Sequence, residues 1–321
     1  MLNHQHLSQA ILQEIKQAEN ILIISHQRPD GDTLGSNLAL RKYLSSLGKN
    51  VHSFCDSLIP DYLTFLPDSH LIKQDHLLFT KKFDLVITVD SATLELTGAQ
   101  HLLEILPQPY RLINIDHHNS NPKYADINLV LSEACSTAEI IYRLFADWKI
   151  TLDQDIATNL ACGLITDTSG FKNPATSYQS LNIAAELFNQ GANLHQLLKI
   201  TNRSKNIDNL ILWGRALERL EKIEKNNIVF TFLTQSDLLE TNTDESAIEG
   251  IANFLHILKE GKIILVLVET SANMIKGSLR TTSEIDVSEI AKLFGGGGHK
   301  KAAGFTLPGK LDYVKNRIRI I

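Results

Sequence analysis

Cysteine is scarce in this sequence. Cys55, Cys135 and Cys162 are odd in number, lie far apart and form no C-x-x-C pair, which leaves no basis for a disulfide framework or a thiolate metal site. Long apolar runs are missing as well: the longest candidate, residues 263–268, falls far short of the ~18 residues a membrane span requires. Nor is there a marked excess of either charge. Lys and Arg number 31 against 36 Asp and Glu, a formal net charge of −5, whereas a general binder of duplex DNA shows a broad basic face. The opening residues, MLNHQHLSQAILQEIKQ, set polar and acidic side chains inside an apolar pattern and predict an amphipathic helix rather than a signal peptide. The expectation is a cytoplasmic protein with no membrane partner and no long duplex DNA partner.

With 43% hydrophobic and 21% charged residues over 321 positions, the chain can bury a sizeable core, and its length predicts two domains or one large α/β domain. Three very apolar segments, 20–25, 84–89 and 111–115, with 51–55 as a fourth, read as strands buried on both faces. Helical patterns lie between them, such as 34–47 closed by Gly48. The alternation predicts an open parallel sheet with right-handed crossovers. Further helices are expected at 136–148, 152–164, 179–190 and 194–201, and the helical periodicity of 207–224 is long enough to join two domains. Beyond residue 227, strands are expected at 228–233, 263–269 and 274–280, and helices at 245–259, 286–294 and 311–319. The chain thus divides into 1–200, a helical linker over 201–226, and a smaller α/β domain over 227–321. Residues 291–321 carry seven Lys or Arg against one Asp, a local basic surface that suits a compact anion better than long DNA.

In an open parallel sheet, ligands gather beyond the carboxyl ends of the strands. Here three strand ends carry metal-type donors. His26 opens an H-x3-D-x-D pattern with Asp30 and Asp32; Asp90 ends the second strand; Asp116, His117 and His118 end the third. Asp167 stands in the Thr/Asp/Gly-rich stretch 163–170, where a helix closes. Taken singly, an aspartate after a strand is an ordinary helix cap, and Asp30-Gly31 after Pro29 an ordinary turn. Together, so many carboxylates would repel one another and be costly to keep charged without a cation. Carboxylates and imidazoles without thiolates suit Mn²⁺ or Mg²⁺, with Zn²⁺ or Co²⁺ accessible by affinity. More than four donors with a surplus of aspartates points to two ions sharing one carboxylate, an arrangement that activates water for in-line displacement at phosphorus. Phosphoester hydrolysis is the predicted reaction class.

These motifs resemble the DHH phosphoesterase superfamily, named for the run found here at Asp116-His117-His118. Residues 26–36, HQRPDGDTLGS, are similar to its H-x-x-P-D-x-D-x-x-G-S signature, and Asp90 and 163–170 follow in the family's order and spacing. Gly277-Ser278-Leu279-Arg280 and GGGGHKKAAG at 295–304 resemble the DHH-associated substrate-binding domain, so the likeness covers nearly the whole chain. It implies one ion held by His26, Asp30 and Asp90 and a second held by Asp32, Asp90, His117 and Asp167, with Asp90 bridging. Mn²⁺ is the favoured ion, Mg²⁺ or Co²⁺ the alternatives. Asp116 would orient a histidine. His118 would face the scissile phosphate, as a ligand to it or as proton donor to the leaving oxygen.

On the second domain, the N–H groups of Gly295, Gly296, Gly297 and Gly298 can cradle a phosphate. Arg280 offers a planar fork, and His299 a further donor or stacking surface. Within the superfamily, the glycine-rich element argues against the pyrophosphatase and polyphosphatase branch, and the length leaves no room for the OB-fold of RecJ-type nucleases. The remaining resemblance is to stand-alone enzymes that degrade oligoribonucleotides of a few nucleotides and dephosphorylate 3′-phosphoadenosine 5′-phosphate (pAp). A phosphodiesterase for cyclic or linear dinucleotides is the alternative. Short RNA and nucleoside bisphosphates are the expected partners, and a homodimer is compatible with this reading.

Overall fold

The structure is a computed structural model that describes residues 2–201, 207–248, 250–255, 258, 260–270, 273–314 and 317–320. The chain divides into two compact units, 1–204 and 205–321.

In the first unit six parallel strands form one sheet: β1 (Asn20–Ile24), β2 (Asn50–Phe54), β3 (Ile72–Lys73), β4 (Leu85–Val89), β5 (Arg111–Asp116) and β6 (Ile127–Val130). Their order is β3-β2-β1-β4-β5-β6. The helices are α1 (Leu2–Gln17), α2 (Gly31–Ser46), α3 (Gln100–Ile105), α4 (Thr137–Asp147), α5 (Gln154–Asp167), α6 (Tyr178–Asn189) and α7 (Leu194–Thr201). β4 is buried at every position and β1 at four of five, as the unbroken Val/Ile/Leu runs require when helices cover both faces. Chain direction across the sheet reverses between β1 and β4, the switch point where the carboxyl ends of strands leave a crevice. Asp90 follows β4 directly, and His26 follows β1 after Ser25.

Local sequence fixes the helix ends around that crevice. The Asp30 carboxylate accepts from the Asp32 and Thr33 amides and starts α2; Ser136 caps α4 by accepting from the Glu139 amide. α5 ends on Asp167. α2 and α5 cross closely, and a Cβ placed on Gly163 would stand 2.5 Å from both Asp32 Oδ1 and the Ala138 Cβ. Glycine is therefore required there by close approach rather than by backbone angle.

The second unit holds α8 (Ile207–Glu218), α9 (Gln235–Glu240), α10 (Ile251–Leu255) and α11 (Val287–Lys292). Its strands are β7 (Glu221–Ile223), β8 (Ile228–Leu233), β9 (Ile263–Glu269), β10 (Met274–Arg280), β11 (Gly297–His299) and β12 (Ala302–Pro308), in the order β11-β12-β10-β9-β8-β7. Among the described residues of this sheet, only β8 and β9 pair in parallel. One face packs Leu212, Ala216, Ile251 and Leu255 against Val229, Ile264 and Val266. The other packs Val287 and Ala291 of α11 against Phe232, Leu279 and Phe305.

Several expectations fail here, each for a local reason. The helix from 207 stops at Glu218 and buries Leu212 and Ala216 in the core of the second unit, after which Glu221–Ile223 pairs with β8. Residues 202–206 of the expected linker lie outside the described residues. The helix expected over 245–259 is broken into a 3₁₀ turn, Glu245–Ile248, and the short α10, with Gly250 at φ +92° between them; residues 249, 256, 257 and 259 lie outside the described residues. The final stretch is not helical: β13 (Leu311–Val314) pairs antiparallel with β14 (Arg317–Ile320). Its Arg-Ile-Arg-Ile run alternates with a period of two, the pattern of a strand.

Candidate metal centre

The donors come together where the strands end. His26 Nε2 lies 3.8 Å from Asp30 Oδ1 and 3.4 Å from Asp90 Oδ2. His117 Nε2 lies 3.6 Å from Asp90 Oδ1 and 3.2 Å from Asp167 Oδ2. Asp32, His117 and Asp167 form one set close enough to share an ion; His26, Asp30 and Asp90 form another. The two oxygens of Asp90 therefore face different histidines. Asp90 itself adopts φ +55°, a left-handed conformation that is costly for most residues and concentrates at functional sites.

The donor chemistry fits cations. His26 Nδ1 lies 2.7 Å from the Gln27 carbonyl, which can only accept, so Nδ1 carries a proton and Nε2 is the ring nitrogen turned towards Asp30 and Asp90. Burial pushes the carboxyls of Asp32 and Asp90 well above the usual range, and repulsion from neighbouring aspartates adds to it. Asp167 is raised as well, chiefly by burial. Burial opposes the charge on His117, but the hydrogen bond to Asp167 and the fields of Asp32 and Asp90 outweigh it and push its pKa up to about 10. A divalent ion held among these groups would offset that carboxylate charge, and its binding would release protons.

Asp116 is fully buried and belongs to neither set. Its Oδ1 accepts from His118 Nδ1 at 2.8 Å and its Oδ2 from the Asn121 amide at 2.7 Å. Burial would raise its carboxyl, yet these hydrogen bonds and the two imidazoles bring it below the usual range. With Nδ1 committed to Asp116, the other ring nitrogen of His118, Nε2, takes no part in that bond. His118 also groups with Asp90 and His117, but the nitrogen nearest Asp90, at 3.7 Å, is the same Nδ1.

Sequence reasoning missed the polar residues behind this row. Asn121 also donates to Asn114 Oδ1, and Asn114 donates to the Tyr124 hydroxyl, which ties the DHH segment to β5. The amides of Thr137 and Ala138 donate to the Asp32 carboxylate. The one available signal was the Ser136-x-x-Glu139 pattern, which marks a helix start and hence amides aimed outward.

On the second unit, Arg280 pairs with Ala302, which pairs in turn with His299, so the arginine and histidine share one face of three adjacent strands. Ser278, Gly304 and Gly297 form the next row on that face. Arg280 donates from Nε to Asn253 Oδ1 at 2.8 Å and from Nη1 to its own strand at the Leu279 carbonyl. The glycine run is not the free cradle expected. The Gly295 and Gly296 amides donate to the Lys292 and Ala291 carbonyls and close α11, with Gly295 at φ +71°; Gly297 and Gly298 belong to β11. The basic excess of 291–321 is also reduced, because Lys292 pairs with Glu289, and Lys300 and Lys301 with Glu284. Both partners lie just before the segment in which the charges were counted.

Comparison with known proteins finds two family matches along the chain. The family description "DHH family, N-terminal domain" matches residues 20–164, and "DHHA1 domain" matches residues 225–319. The chain is similar to the bifunctional oligoribonuclease and PAP phosphatase NrnA of Thermus thermophilus, at 29% identity over 93% of this chain and 87% of that one. The Bacillus subtilis protein of the same name is 24% identical over 92% of both chains. Among solved structures, an exopolyphosphatase-related protein from Bacteroides fragilis superposes with a TM-score of 0.84 at 26% identity, covering 94% of this chain and 91% of that one.

Proposed function

The chain belongs to the DHH family, with a DHHA1 domain after its DHH domain, and from that premise we propose that it is a metal-dependent hydrolase of short oligoribonucleotides and of pAp. The observation that carries the reading is Asp90, whose two oxygens face His26 and His117 separately. On this reading His26, Asp30 and Asp90 hold one divalent ion, and Asp32, Asp90, His117 and Asp167 hold the other. Mn²⁺ is the favoured ion; Mg²⁺ and Co²⁺ are the alternatives. When bound, such a pair lowers the pKa of water and takes up the charge that develops on phosphoryl oxygens.

The chain's own residues do the rest. Asp116 holds the His118 ring through Nδ1, so that Nε2 meets the phosphate and donates to the leaving oxygen. Arg280 contributes a fork for an anionic group, and its bonds to Asn253 and the Leu279 carbonyl keep that fork in one plane. His299, with Gly297 and the small Ala302 and Gly304 beside it, leaves room for a nucleotide against the sheet. The names of the relatives support short RNA and pAp as substrates, and the paired lysines support a compact ligand over a long strand.

The test is turnover of pAp, a trinucleotide RNA, cyclic di-AMP and a 20-mer, measured in parallel with Mn²⁺ at physiological salt. The trinucleotide and pAp should be hydrolysed with higher kcat/KM than the 20-mer, and chelation should abolish both activities. A rate that rises with RNA length would replace this reading with a processive nuclease; dominant turnover of cyclic di-AMP would replace it with a dinucleotide phosphodiesterase.

A further inference from the structure

Thr137 belongs to neither donor set, yet two of the candidate ligands end on it. Its amide donates to Asp32 Oδ2 at 2.6 Å, and its hydroxyl donates to Asp90 Oδ1 at 3.1 Å. The next amide, that of Ala138, takes the other oxygen of Asp32 at 2.9 Å. Asp32 comes from α2 and Asp90 from the end of β4, so a single residue of a third element spans two carboxylates that the chain delivers separately.

The platform beneath it is stiff. Thr137 is fully buried, and its β-branched side chain has few rotamers in a helix. The start of α4 is fixed on both sides: Ser136 accepts from the Glu139 amide, and Glu139 accepts from the Cys135 amide and pairs with Arg143. A carboxylate, by contrast, turns readily about its last torsion. Without a fixed donor, Asp90 could turn its oxygens away from the orientation in which one meets His26 and the other His117.

We infer that Thr137 is a positioning residue for the second ion. Its hydroxyl fixes the rotation of Asp90, while its amide fixes Asp32, so the two carboxylates that share that ion are set at one separation. The inference rests on the two-ion reading above. It assigns Thr137 no contact with metal or substrate, and it predicts that the ion held by Asp32, Asp90, His117 and Asp167 depends on the hydroxyl more than the ion at His26 and Asp30 does.

The experiment is calorimetric titration of the full chain with Mn²⁺ for wild type, Thr137→Val, Thr137→Ala and Thr137→Ser, together with melting of each metal-free protein. Wild type should bind two ions. Val and Ala should weaken one binding event about 10- to 100-fold, the usual effect of removing a partner behind a ligand, and leave the other within about threefold. Ser, which restores the hydroxyl, should bind nearly as wild type. Unchanged affinity in Val and Ala, or equal weakening in Ser, would overturn the inference. So would loss of folded metal-free protein in Val and Ala alike, which would make Thr137 a structural residue. A wild type that binds no Mn²⁺ would instead overturn the metal-centre reading itself.

Discussion

Gly163→Ala is a small change with a calculable effect. In an exposed helix interior this exchange gains about 0.8–1 kcal/mol, because alanine loses less backbone freedom on folding than glycine. At position 163 the new methyl would stand 2.5 Å from Asp32 Oδ1 and 2.5 Å from the Ala138 Cβ, roughly 1 Å inside ordinary contact. Overpacking of this kind costs about 1–3 kcal/mol, so the net change in stability should be a loss of about 0–2 kcal/mol. The effect on metal should be larger. The Asp32 carboxylate is held from behind by two amides, so relief of the clash displaces a candidate ligand, and metal–oxygen distances tolerate only about 0.2 Å. Mn²⁺ affinity should fall at least tenfold. Gly214→Ala supplies the control, since Gly214 lies in α8 with nothing within 4 Å of the added methyl; it should raise stability by up to about 1 kcal/mol and leave metal binding unchanged. Urea unfolding and Mn²⁺ titration of the two variants decide the matter. If Gly163→Ala gained stability as Gly214→Ala does and bound Mn²⁺ as wild type, the close approach of α2 and α5 would not be setting the position of Asp32.

Asp90→Asn tolerates the left-handed backbone better than alanine would, so it should fold yet hydrolyse every substrate at less than a tenth of wild-type kcat at saturating Mn²⁺; higher activity would remove Asp90 from its bridging role. Arg280→Ala should raise KM for pAp and short RNA by the equivalent of about 1.5–3 kcal/mol and barely change turnover of bis-p-nitrophenyl phosphate, whereas equal losses on both would make the residue catalytic or structural. Asp237 yields a pH test within the second unit. Burial opposes its ionisation, but Arg219, Thr234 and Arg215 outweigh that and hold its carboxyl well below the usual range. A depressed folded pKa stabilises above the unfolded value of about 3.9 and loses that contribution as pH falls through the folded one. Asp237→Asn should therefore be less stable than wild type at pH 7 and converge with it in acid; unfolding curves that stay parallel from pH 7 to pH 2 would refute the assignment.

The candidate metal donors were legible because His26, Asp90 and the run Asp116-His117-His118 all follow apolar strands, a coincidence that caps and turns explain singly but not together. The strands β1, β2, β4 and β5 were legible from the apolar segments themselves. What stayed hidden depends on partners distant in sequence. Thr137 reads as an ordinary residue in the first turn of a helix until the fold brings Asp32 and Asp90 to it. Gly297 and Gly298 read as part of a phosphate cradle because strand pairing with β12, and not any local preference, extends them. The lysines at 300 and 301 read as free positive charge because their partner, Glu284, lies outside the basic segment.

The apolar clusters have a consequence for how such an enzyme changes over time. Ile23, Leu34, Ile87 and Leu160 share a core within the first unit, whereas Leu279, Val287 and Phe305 share one within the second. Lys276, Ser278 and Arg280 belong to neither cluster, so exchanging their side chains removes nothing from the core of the first unit. On the function proposed above, substrate preference can therefore drift by mutation of the second unit while the core under the candidate donors is left alone, and a single lineage can give rise to enzymes that share one hydrolytic apparatus and differ in what they hold.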